Sequence, residues 1–214
     1  MFSDLHPSLL LFLHWLECIK FRNLLNDSLI VMIKEIVGNG IIRVSHGKEK
    51  MTWFVASKKL WTEFICRDVQ MTEISIALTL LESIDGDYTP LLDQWPVFAF
   101  LPLRTDGLKF ILQGDFVLPT SREEVDGDSP WNQWLMSEFP GSFVDAERSF
   151  CALLCFRENP ERLCLLSSAL LGSSWFLFKS SPVDYFKITY VKLLTSGRRK
   201  RQMGSSLQGS KRLE

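Results

Sequence analysis

The chain has 214 residues, 46% of them hydrophobic and 23% charged, with a net charge of −1. That composition excludes a disordered chain and allows one domain, or one and a half, around a sizeable core. Residues 196–214 hold six Lys or Arg against one acidic residue, so this tail carries +5 and the remaining 195 residues carry −6. A mildly acidic body with a basic tail is not the footprint of a domain that reads nucleic-acid grooves.

In chain order, residues 7–16 carry Leu10, Leu13 and Leu16 at helical spacing, with Leu9 and Phe12, and predict an N-terminal helix within residues 1–17. Residues 18–57 predict an antiparallel meander. The strands expected there are 18–24, 28–37 (for which a helix is the alternative), 41–44 and 51–56. Its turns are Gly38-Asn39-Gly40 and Gly47-Lys48-Glu49-Lys50. Residues 58–67 are amphipathic and fit either class. Residues 72–81 predict a strand with Ile74, Ile76 and Leu78 on one side, and 83–93 a solvated loop around Asp85-Gly86-Asp87 and Pro90. The aspartates there lack the twelve-residue spacing of a calcium loop.

Two apolar runs, 97–103 and 108–113, flank Arg104-Thr105-Asp106-Gly107 and predict a hairpin turning at Asp106-Gly107. A connector follows, and Ser129-Pro130 marks a helix start. Trp131, Trp134 and Leu135 form one stripe that Pro140-Gly141 is expected to end. Phe143, Glu147, Phe150 and Leu154, with Ala146 and Leu153, make a second stripe from 142 to 156, broken at Asn159-Pro160. The four aromatics Trp131, Trp134, Phe143 and Phe150 read as core rather than as a ligand cage.

Residues 163–178 are sixteen uncharged residues, short of the roughly 20 that span a bilayer, and read as buried chain. Residues 185–194 have β character, and Arg198, Arg199, Lys200 and Arg201 form a nuclear-import or anion-binding cluster in a solvated tail. The fold class expected is therefore α+β: a mostly antiparallel sheet of about five to seven strands with helices packed on it. The domains are 1–17 helix, 18–128 sheet, 129–178 helical and 179–214 irregular. The odd number of cysteines (18, 66, 151, 155, 164), with no C-x-x-C, points to reduced, buried thiols in a cytoplasmic or nuclear protein. His6, His14 and His46 are too scattered for a zinc site.

No phosphate loop, nucleophile elbow, metal quartet or HExxH occurs, so no stand-alone enzyme is expected. The run PVFAFLPLRTDGLKFILQGDFVLPTSREEVDGDSPWNQWL (residues 96–135) resembles the segment that follows the ATP-binding domain in NO VEIN-type proteins. These are relatives of sacsin and the ninety-kilodalton heat-shock chaperones. Residues 11–40 and 45–55 look like the same family, and the resemblance spans about residues 8–165.

In the chaperones, a Leu-Pro and Ser-Arg-Glu stretch sends its arginine to the γ-phosphate of ATP in the preceding domain. Leu118-Pro119-Thr120-Ser121-Arg122-Glu123 is similar. The resemblance thus implies that Arg122 contacts the phosphate while Ser121 and Glu123 set the connector's geometry. The family's nucleotide-binding motifs are missing from this chain, which is expected to bind no cofactor alone, with ATP and Mg implied only through a neighbouring domain.

The implied partners are that ATP-binding domain and a protein client; nucleic acid and membrane are not expected. From the residues alone, Arg122 has a competing role: an ion pair with Asp115, Glu124 or Asp126. The alternative function is a protein-interaction module with no nucleotide linkage. A third reading, nucleic-acid binding through 198–201, predicts affinity that falls steeply with salt.

Overall fold

The computed structural model describes residues 6–62, 69–84, 86–122 and 124–153. Nine strands form one sheet: β1 (Cys18–Asn23), β2 (Ser28–Gly38), β3 (Ile41–His46), β4 (Glu49–Trp61), β5 (Met71–Glu82), β6 (Tyr88–Pro90), β7 (Trp95–Ala99), β8 (Leu101–Leu108) and β9 (Ile111–Gln113). Their order across the sheet is β1-β2-β3-β4-β5-β9-β7-β8, and β6 pairs with β5. One long helix, α1 (Pro130–Cys151), packs on β4 and β5. The architecture is mostly sheet with one helix among the described residues.

The first four strands are the expected meander and β5 is the strand expected at 72–81, and β2 is a strand: Met32 is buried while Ile33 and Ile36 on the same segment are exposed. Asn39 and Gly40 (φ +52° and +79°) make the tight left-handed turn that suits the sheet's right-handed twist. Gly40 is also needed for space. A Cβ there would sit 2.8 Å from Val55 O.

The strand β5 runs down the middle with Ile74 to Leu80 all buried. On one face Phe54, Ile74, Ile76 and Leu112 meet Leu135, Phe139, Phe143 and Phe150 of α1. On the other, Trp53, Ala77, Trp95, Phe98 and Ile111 are covered by Leu10, Leu11 and Phe12.

The sequence expectations need five corrections. The N-terminal helix is a single 3-10 turn (Pro7–Leu10). Leu10, Leu11 and Phe12 are all buried, and three consecutive buried side chains do not fit the one-sided stripe of an amphipathic helix. Within the expected solvated loop, β6 adds to the edge of β5. Among the described residues there are nine strands rather than five to seven, and one pair, β7 with β9, is parallel.

The central hairpin reverses at Phe100 (φ +60°), not at Asp106-Gly107, which lies inside β8. The buried Gln113 fixes that reversal, its Oε1 accepting from Phe100 N at 2.9 Å. Pro96 is tolerated in β7 because the register shifts on both sides of it.

Finally, α1 does not stop at Pro140. The apolar stripe Leu135, Phe139, Phe143, Ala146, Phe150 keeps its phase through the proline and is buried on the sheet throughout. Ser142 Oγ donates to Glu138 O at 3.0 Å nearby. Tertiary packing therefore outweighs the lost backbone bond. The rest of the helical segment, 154–178, and the region 179–214 lie outside the described residues.

Phe139 has no exposed surface and stacks on Phe116. Phe139→Ala is expected to cost about 3–5 kcal/mol in urea denaturation, and Trp134→Ala, half-buried on the same helix, to cost less.

Candidate functional site

Leaving β9, the chain passes through Gly114 and Asp115 and then forms a closed loop over residues 117–126. Asp115 is held twice: its carboxylate accepts from Thr72 Oγ1, and its carbonyl accepts from Trp131 Nε1 at 2.8 Å. The loop is closed by Asn132, which is 1% exposed in the first turn of α1. Its Oδ1 accepts from Val117 N at 2.9 Å, and its Nδ2 donates to Val117 O and Asp126 O, each at 2.8 Å. Both amide hydrogens and the carbonyl of one side chain are thereby used on the loop's two ends. Asp126 N also donates to Val117 O at 3.3 Å. Ser129 caps the helix, its Oγ accepting from Asn132 N.

Arg122 stands at the tip of this loop. Its backbone N–H donates to Pro119 O at 3.0 Å, and its φ is +55°, a left-handed conformation that costs a non-glycine residue about 1–2 kcal/mol. The side chain is exposed. The ion pairs formed between described residues do not include it. Of the three carboxylates considered as its partners, Asp115 is engaged by Thr72, and Asp126 Oδ1 accepts from Asp128 N at 3.1 Å.

Ser121 is exposed and its side chain enters no hydrogen bond among the described residues. The loop's shape comes instead from Asn132 and Trp131 behind it. Glu123 lies outside the described residues, as do Arg198, Arg199, Lys200 and Arg201. Residues 114–129 contain five carboxylates and a single cation, Arg122.

Composition concealed Asn132, although a sequence signal existed. Ser129-Pro130-Trp131-Asn132 has the spacing of a capping box, with Asn where Glu or Gln usually stands. A shorter side chain at that place bonds across to another segment.

Among the described residues no cluster of His, Cys, Asp and Glu is able to hold a metal ion, and no helix is long and apolar enough to cross a membrane. Cys18 is exposed rather than buried, because the face of β1 that carries it is uncovered.

A second polar feature lies under the N-terminal turn. The His6 ring meets Trp95 at 5.1 Å and Trp53 at 6.5 Å between centroids, and its Nδ1 accepts from Ser8 N. The buried Trp53 Nε1, Trp95 Nε1 and Thr79 Oγ1 have no hydrogen-bond partner among the described residues. Burial, with a smaller contribution from His46, lowers the His6 pKa below its ordinary value.

Comparison with known proteins gives one informative match. The chain is 65% identical over 159 residues to Protein NO VEIN of Arabidopsis thaliana, a stretch covering 74% of this chain and 6% of that protein. The chain thus spans about 6% of the length of that curated relative, and over the shared stretch it is NO VEIN-like. No family model matches it, and no solved structure matches it.

Asn132→Ala strands the Val117 and Asp126 backbone groups and is expected to cost about 1–3 kcal/mol. Amide exchange should accelerate across 117–126 well before it does in β5. For His6, the folded state takes up a proton less readily than the unfolded chain. Stability should therefore fall as pH drops below about 6.5, through the lowered folded value. His6→Asn keeps a capping acceptor and should flatten that part of the pH–stability curve, measured by urea denaturation.

Proposed function

We propose that this chain is the coupling segment of a heat-shock-chaperone-like ATPase, non-catalytic alone, in which Arg122 reaches the terminal phosphate of ATP held by a neighbouring domain. The observation that carries this reading is the exposed guanidinium of Arg122, outside the ion pairs described, at the tip of a loop fixed at both ends by Asn132. A guanidinium offers a planar fork of donors to phosphate oxygens and keeps its charge at any physiological pH. Delivered from a second domain, it makes closure depend on the terminal phosphate, so hydrolysis releases it. The likeness to NO VEIN supports the NO VEIN-like part of the resemblance; the arginine's role is taken from the similarity of residues 118–123 to the chaperone stretch.

The charge of the loop refines the reading. With five carboxylates beside one arginine, residues 114–129 repel a polyanion unless it arrives neutralised. The neighbouring domain and Mg must therefore supply most of the phosphate binding, and Arg122 contributes a directional contact in the closed state. In this reading the protein works in the cytoplasm or nucleus, beside an ATP-binding domain and a protein client.

The test is hydrolysis by the family's ATP-binding domain, fused to this chain or supplied in trans. Arg122→Ala should lower the rate by about a hundredfold, the low end for loss of one preorganised donor at a developing charge, with little change in nucleotide affinity. Equal rates remove the role of Arg122. Partner binding that is unchanged when ATP is withheld would favour an interaction module with no nucleotide linkage.

A further inference from the structure

The backbone bond from Arg122 N to Pro119 O closes a four-residue turn with Thr120 and Ser121 at its corners. Both corner residues are exposed. Other hydroxyls nearby are occupied. Ser137, Ser142 and Ser149 each donate to a carbonyl three or four positions back along α1, and Ser129 caps that helix. The side chain of Ser121 enters no hydrogen bond among the described residues, so no bond has to break before its hydroxyl reacts.

Charge is distributed unevenly about this serine. Residues 116–120 carry none, whereas Glu124, Asp126 and Asp128 follow, the first of them three positions on. Glu124 and Asp128 are exposed. Carboxylates downstream of an accessible hydroxyl complement an enzyme cleft that is basic beyond the point of transfer. Asn132 holds both ends of the loop, so the corner is presented on a fixed mount. Arg122 is the next residue, outside the ion pairs formed between described residues. Consecutive Cα atoms lie about 3.8 Å apart, so its guanidinium reaches any group carried on the Ser121 oxygen.

We propose that Ser121 is phosphorylated by a protein kinase that selects acidic residues downstream, and that its phosphate pairs with Arg122 and withholds it. The bond from Ser121 Oγ to the terminal phosphorus of the kinase's ATP forms. The bond from that phosphorus to the β–γ bridging oxygen breaks, ADP leaves with the electron pair, and the hydroxyl proton passes to the kinase's base. Five carboxylates and one arginine give residues 114–129 a charge of −4, and the phosphate takes it to about −6. Its oxygens match the planar fork of the adjacent guanidinium. The withholding rests on the reading of Arg122 as a phosphate contact; the modification and the pairing do not.

The full chain, incubated with a casein-type acid-directed kinase, ATP and Mg, tests this. Mass spectrometry should map the phosphate to Ser121, and Ser121→Ala should abolish it. Glu124→Gln should lower the initial rate about tenfold, the low end for one close charge contact across an interface. Phosphate on Thr120 instead, no phosphate at all, or an undiminished rate with Glu124→Gln would each overturn the proposal. Circular dichroism of both variants should match the parent chain. In a phosphorus NMR titration, the phosphoserine should lose its last proton at lower pH than in phosphorylated Arg122→Ala, because a paired cation favours the dianion. Coincident titrations would show no pairing and overturn it too. None of these readouts involves hydrolysis by a neighbouring domain, so they succeed or fail apart from the role of Arg122 there. In the fused protein, if Arg122→Ala impairs hydrolysis, the phosphorylated chain should match it. An unimpaired phosphorylated chain would then overturn the withholding.

Discussion

Burial of β5 on both faces is the constraint from which the remaining architecture follows. A strand with apolar residues pointing both ways needs a cover on each side. Here α1 supplies one cover and the N-terminal turn the other. The same demand explains why α1 runs straight through Pro140. Ending the helix there would uncover Phe54 and Phe110, which lie against Phe150 and Phe143 beyond the proline. One missing backbone bond is the smaller loss.

The loop bearing Arg122 depends on that helix as much as on the sheet. Its two ends are fixed by the side chain of Asn132, whose position is set by the helix cap and by the packing of Leu135 and Met136 just beyond it. A displacement of α1 would therefore move the loop's base. The arginine is carried on a loop whose ends are tied to α1, which packs on β4 and β5.

Much of the sheet was legible from local signals. The Asn39-Gly40 turn, the alternation in β4 and the Ser129-Pro130 start all act over a few residues, where the chain's own chemistry decides the outcome. The failures share one cause: a distant residue decided. Phe100 adopts a left-handed conformation because Gln113, thirteen positions on, accepts its N–H, so the local appeal of Asp106-Gly107 never applied. Pro140 was read as a stop because a helix seen alone stops there. Leu10 to Phe12 looked like a helical stripe because nothing local indicates that all three are buried. At the candidate site, Arg122 came from a family resemblance and not from its spacing. Asn132 was missed because its role consists entirely of bonds to residues six and fifteen positions away.

The three-residue strand β9 has a further consequence, for how the molecule comes together and comes apart. Among the described residues it is the strand that pairs with both the five-stranded meander and the β7–β8 pair, meeting β5 at Ser75 to Ala77 and β7 at Val97 and Phe98. The meander is built from neighbours in sequence and is able to form early, whereas the β5–β9 side of this seam joins positions more than thirty residues apart and is expected to form late. Under stress the weakest line is the same seam: the β7–β8 pair would detach as a unit, while the meander stays intact with α1 and the 117–126 loop that Asn132 ties to it.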